Sequence, residues 1–124
     1  MSPENAHVFV AEDDKSWRGI IIRRKLEGAG HQVAFEAPDI ESALEGATQA
    51  KELGVNVAVV DGNLNERAVS CADGRAIAKA LRETLPSIKI IALSASDLAD
   101  YGDVRLDKGN IDDVTRLPDL VKEL

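Results

Sequence analysis

The stretch Val55-Asn56-Val57-Ala58-Val59-Val60-Asp61 decides how this chain is read. Its apolar run has no polar face, as in a strand buried on both sides inside a parallel sheet, and it ends in a carboxylate. Three other runs behave alike. Val8-Phe9-Val10-Ala11 ends in Glu12 and Asp13, Ile90-Ile91-Ala92-Leu93 ends in Ser94, and Val104-Arg105-Leu106 is followed by Lys108. In an open parallel sheet the carboxyl ends of the strands meet at one crevice, where ligands bind. Three carboxylates, a hydroxyl and an ammonium gathered there describe a site for a divalent metal and a phosphoryl group.

The segments between these runs are helical. Residues 16–29 place Ile22, Leu26 and Ala29 on one face, and Gly28-Ala29-Gly30 supplies the left-handed stop. His31–Glu36 is a more polar strand suited to a sheet edge. Asp39 caps a helix whose stripe is Ile40, Ala43, Leu44, Ala47 and Leu53, ended by Gly54. A long loop runs from Gly62 to Ala72. Asp73–Leu85 turns Ile77, Ala80 and Leu81 inward before Pro86. A last helix carries Leu117, Leu120, Val121 and Leu124, with Pro118 in its first turn. Strand-like and helix-like segments thus alternate, the pattern of an α/β layered fold. No repeat or linker divides the sequence, so residues 1–124 are expected to form a single domain.

Composition narrows the function. With 44% apolar residues there is enough for a core, and 30% charged residues solvate the surface. The net charge of -7 argues against nucleic-acid binding by this chain alone, which needs a basic surface. No apolar run approaches the ~20 residues of a membrane span, and the N-terminus lacks the regions of a signal peptide. The single cysteine, Cys71, forms no internal disulfide and suits a reducing cytosol, so a cytoplasmic location is expected.

The chemistry of the strand tips is specific. Mg²⁺ wants oxygen ligands and keeps several waters, a demand that carboxylates from two strand ends meet. Asp61 can then act as a nucleophile toward phosphorus. The metal offsets the developing charge, Lys108 pairs with a phosphoryl oxygen as a point charge, and the Ser94 hydroxyl donates to another. Asp61 taken alone would read as a strand-terminal residue capping a turn with Gly62; its company of acids and a lysine favours the functional reading.

Five segments, in order, carry a family resemblance: VFVAEDD (8–14), VAVVDGN (57–63), ADGRAIAKALRE (72–83), IIALSAS (90–96) and LDKG (106–109). Together they resemble the receiver domain of two-component response regulators, the CheY-like superfamily. The resemblance implies a flavodoxin-like, doubly wound sheet of five parallel strands in the order 2-1-3-4-5. It implies Asp61 as phospho-acceptor, Glu12 and Asp13 as an acidic metal pair, and a further metal contact from the main-chain carbonyl of Asn63. Ser94 would be the switch hydroxyl, Lys108 the phosphate-pairing lysine and Mg²⁺ the cofactor. The implied partner is a histidine kinase or a histidine phosphotransfer protein of a phosphorelay, with the chain a monomer or weak homodimer. Such a domain takes part in its own phosphorylation and dephosphorylation without being a dedicated enzyme.

The chain departs from that pattern in several places. Aligned by the first strand, the acidic pair is Glu12-Asp13; aligned by the end of the first helix, it is Asp13-Asp14, because the spacing is one residue longer than usual. The strand alignment is preferred, since the other puts Glu12 at an apolar core position where a charge is costly. Asp14 then acts as a helix cap or supports the site from outside. The segment from Ser94 to Lys108 is short by roughly two helical turns, so the fourth helix is expected to be abbreviated or replaced by a loop. Arg105 stands where an aromatic switch residue is usual, Tyr101 is a candidate substitute for it, Gly109 replaces a proline, and the loop after Asp61 is longer. These departures motivate an alternative, a receiver-like interaction domain that signals without phosphorylation. A dehalogenase-like phosphatase would need a nucleophile at Val59, and a cobalamin module would need an imidazole where Ser16 stands; neither side chain can serve.

Overall fold

The computed structural model describes residues 6–62, 71–94 and 100–123. Five strands form one parallel sheet: β1 (His7–Ala11), β2 (Gln32–Ala37), β3 (Val57–Asp61), β4 (Lys89–Leu93) and β5 (Val104–Leu106). Their order across the sheet is β2-β1-β3-β4-β5, as expected from the sequence. All five residues of β3 are buried, because helices cover both faces of the sheet.

Alternation along the strands splits the core in two. Phe9, Ala11, Ala58, Val60, Ile90 and Ala92 face α2 (Ile40–Gln49) and α3 (Ala72–Thr84). Val8, Val10, Val57, Val59, Ile91 and Leu93 face the first helix and α5 (Leu117–Glu123), which follows the short α4 (Ile111–Thr115). Asp39 caps α2 with a reciprocal capping box to Ser42, its Oδ1 accepting from the Ser42 amide at 2.7 Å. Pro118 lies in the first turn of α5, where its missing N–H costs no hydrogen bond. His31 is buried and ties the two ends of the described chain together: Nδ1 accepts from the Ala6 amide at 3.2 Å, and Nε2 meets the Pro118 carbonyl at 3.2 Å.

The first helix, α1, departs from a simple α-helix. It is π-helical over Trp17–Arg23 and α-helical over Arg24–Gly28. A π-turn is wider than an α-turn and takes up extra residue length without breaking the helix. Such a turn can accommodate the one-residue longer spacing expected between the acidic pair and the end of this helix, and β1 stays buried from Val8 through Ala11. Ile22 and Leu26 are buried as expected, whereas Ala29 lies beyond the helix end and is exposed. Leu44 and Leu53 are likewise exposed: Leu44 turns off the buried stripe of α2, and Leu53 lies past its end. Between β4 and β5, residues 95–99 lie outside the described set, and residues 100–103 form an extended bend without helix.

Candidate functional site

Strand register assembles the site. Ala11 pairs with Val60, so the next residues, Glu12 and Asp61, leave the sheet side by side. Asp61 pairs with Leu93, and Leu93 with Leu106, which brings Ser94 and the Asp107-Lys108 turn to the same edge. One carboxylate oxygen from each of Glu12, Asp13 and Asp61 lies within 4.8 Å of the others. Lys108 enters from β5: its Nζ hydrogen-bonds Glu12 Oε1 and stands 3.6 Å from Asp61 Oδ2. Glu12 is fully buried, while Asp61 keeps 8% of its surface exposed.

Burial, and then the neighbouring Asp61 carboxylate, push the Glu12 carboxyl up to about 8, against the pull of Lys108. Two acids sharing a dry pocket resist ionising together. The donor set is therefore all hard oxygen, with more negative charge than one ammonium balances cheaply. A small divalent cation fits it, and Glu12, Asp13 and Asp61 are the described residues that would hold one. Asn63, whose main-chain carbonyl was expected to add a ligand, lies outside the described residues.

The surrounding groups hold these side chains in place. Asp14 is not in the cluster: its Oδ1 accepts from the amides of Ser16 and Trp17 at 2.8 and 3.2 Å, capping the helix start. Its own amide donates to Glu12 Oε2 at 3.3 Å. Ser94 is buried; its amide donates to Leu106 O at 3.1 Å and its carbonyl accepts from the Lys108 amide at 3.4 Å. These bonds join the tips of β4 and β5. Arg105 is half-buried on β5, paired in register with Ala92.

Three contributors escaped the sequence reading in these roles. The Trp17 ring lies under the Lys108 ammonium, 4.8 Å from centroid to nitrogen, a cation–π arrangement. Arg18 donates from Nη1 to the Glu12 main-chain carbonyl at 3.0 Å. Tyr101 donates from its hydroxyl to the carbonyl of Val60, the residue before Asp61, at 2.6 Å. The first two come from the π-helical turn, whose width no residue periodicity announces.

No protein-family model matches the chain, and no curated protein matches it either. Solved structures do. The isolated REC domain of RcsB from Salmonella enterica serovar Typhimurium, in the presence of phosphomimetic BeF3-, is 22% identical over 93% of this chain and 84% of that one, with a TM-score of 0.70. The response regulator domain of Thermotoga maritima CheB is 17% identical over 96% and 92%, with a TM-score of 0.69. The signal receiver domain of a modulated diguanylate cyclase from Desulfovibrio desulfuricans G20 is 22% identical over 96% and 94%, with a TM-score of 0.71. Against a longer RcsB response regulator chain from Salmonella typhimurium, the present chain spans 57% of the length. The sheet order, the helices on both its faces and these likenesses together give the chain the fold of a response regulator receiver domain.

Proposed function

We propose that the chain is a phospho-acceptor domain of two-component signalling, phosphorylated on Asp61 with Mg²⁺ bound beside it. The observation that carries this reading is the placement of Asp61: at the tip of the central strand, buried but for 8% of its surface, with two further carboxylates within 4.8 Å and an ammonium at 3.6 Å. Glu12 and Asp13 would hold the cation together with Asp61, and the Asn63 carbonyl would complete the protein's share of ligands. Bound there, the cation would offset charge on the phosphoryl oxygens during transfer.

The chain's own residues supply the remaining steps. An Asp61 carboxylate oxygen attacks phosphorus while the P–N bond of a donor phosphohistidine breaks. The bonding pair returns to the imidazole, which takes up a proton from solvent, and Asp61 is left as an acyl phosphate. Lys108, already 3.6 Å from Asp61, turns toward a phosphoryl oxygen, and the Ser94 hydroxyl donates to another. Release of Lys108 from Glu12 shifts the balance between two arrangements of the strand tips, and the partner surface follows. The donor is a histidine kinase or a histidine phosphotransfer protein, the chemistry that matches an aspartate acceptor in a cytoplasmic setting.

The test is direct. Folded protein is incubated with acetyl phosphate and Mg²⁺, and the products are mapped by mass spectrometry. A phosphoryl adduct on Asp61, absent from Asp61→Asn, is the expected result. A folded wild-type chain that takes no label overturns the reading and leaves the phosphorylation-independent interaction domain in its place.

A further inference from the structure

Tyr101 is buried, at 5% exposure, in a segment with no regular structure. Buried phenols need a partner for the hydroxyl, and this one finds the carbonyl of Val60 at 2.6 Å, across the core from its own backbone. Burial first, and then the nearby Asp61 carboxylate, hold the phenol far on the protonated side, so it serves as a donor.

The peptide unit makes that bond consequential. The Val60 carbonyl, the Asp61 amide and both flanking Cα atoms lie in one plane. Fixing the oxygen fixes the plane from which the Asp61 side chain departs. The ring is seated in turn by α3: a Cβ at Gly74 would stand 2.7 Å from Tyr101 Cε1 and Cζ, so only glycine admits the ring there. The Gly74 amide also donates to the Gly62 carbonyl at 2.8 Å, which secures the backbone on the far side of Asp61.

The backbone around Tyr101 is anchored too. Its carbonyl accepts from Arg82 Nη1 at 2.8 Å, and Arg75 Nε reaches Asp100 Oδ1 at 3.1 Å. Asp103 and Ile90 exchange two hydrogen bonds, Asp103 N to Ile90 O at 2.7 Å and Ile90 N to Asp103 Oδ2 at 2.8 Å. Gly102 lets this strap lie against β4, where a Cβ would meet Ala92 N at 2.8 Å. Residues 100–103 therefore bridge α3, β4 and the tip of β3.

We propose that Tyr101 is a positioning residue for Asp61, aiming its carboxylate into the Glu12 and Asp13 cluster by holding the Val60 carbonyl from the α3 side. The reactivity of Asp61 toward a phosphodonor rests on the function proposed above; its placement does not.

The experiment compares wild type with Tyr101→Phe, which removes only the hydroxyl, and Arg82→Gln, which loosens the strap from outside. The deciding readout is the carboxyl-carbon NMR signal of Asp61 in the metal-free chain, with thermal midpoints measured alongside. Tyr101→Phe is expected to move that signal while the Asp107 and Asp119 carboxyls stay in place, and Arg82→Gln to move it less. An unmoved Asp61 signal in folded Tyr101→Phe, whatever happens to the midpoint, reduces Tyr101 to packing and overturns the proposal. Labelling by acetyl phosphate adds a kinetic readout. Misplacement of a reacting group by about 1 Å can cost up to roughly a hundredfold in rate, so the maximal rate is expected to fall about tenfold or more with half-saturation by donor unchanged. If wild type takes no label, the phospho-acceptor function fails, and the carboxyl signal still decides the role of Tyr101.

Discussion

Lys108 and Glu12 close the sheet edge as a hydrogen-bonded pair, ionic once Glu12 loses its proton: an ammonium carried by the turn after β5 bonds a carboxyl group that follows β1 and has no exposed surface. The pair spans the tip of β3, where Asp61 stands 3.6 Å from the same ammonium. Removing one partner of a buried pair leaves the other charge stranded, at about 3–5 kcal/mol. Glu12 can escape part of that cost by keeping its proton. Lys108→Met is therefore expected to cost about 3 kcal/mol near pH 9 and on the order of 1 kcal/mol near pH 6. Urea unfolding at the two pH values checks this, and an equal loss at both would refute the charge argument.

The raised Glu12 carboxyl has a signed consequence for the unmodified chain. Between its unfolded value of 4.5 and about 8, the folded state holds a proton that the unfolded state has released. The stabilisation from this group is complete below the unfolded value and is lost as pH rises through about 8. On the proposed function, excess Mg²⁺ should reverse the trend, because it would bind the ionised cluster and displace that proton. Thermal midpoints measured from about pH 5 to about pH 9, with chelator or with Mg²⁺, should diverge as pH rises. Parallel curves would show that the cluster takes up no cation.

The only tryptophan of the chain lies under the ammonium that the proposed function displaces. Displacement of Lys108 toward a phosphoryl group takes a positive charge off the indole face. Titration with beryllofluoride and Mg²⁺ is expected to change Trp17 fluorescence in wild type and to leave it flat in Lys108→Met. A full response in the variant would mean that the indole senses something other than the lysine.

Asp39 offers a test of the scaffold away from the site. Its carboxylate and the Ser42 side chain satisfy each other's backbone amides at the start of α2. Asp39→Ala should cost about 1 kcal/mol in urea unfolding. Labelling of Asp61 by acetyl phosphate should be unchanged, since α2 supplies no residue to the acidic cluster.

Much of the fold was legible because β1, β3 and β4 announce themselves as apolar runs, each followed or ended by a polar residue, whereas the polar β2 and the short β5 carry a weaker signal. Val57–Val60 followed by Asp61 needs no tertiary knowledge to be read as a buried strand with an acidic end. The acidic register was harder. Glu12 is fully buried, against the cost that the sequence assigns to a buried charge, and a raised carboxyl together with the ammonium of a residue far along the chain explains it. Leu44 and Leu53 fit a helical stripe, yet the stripe outran the helix and its buried face. Tyr101 sits in a segment without periodicity, and its depth follows from a gap left by Gly74 in another element. Such pairings lie in three-dimensional contact and carry no local signal.

The wide turn at Trp17–Arg23 matters beyond the helix that contains it. Length taken up there puts the acidic loop upstream and the helix end downstream out of step with each other in simple residue count, and the β1–β2 pairing shifts register once more between Val8 and Phe9. A comparison that walks this chain position by position against a relative with an ordinary turn must slip by one somewhere in that stretch. Matching the acidic loop and matching the helix end are then competing choices, and an ungapped alignment can honour only one of them.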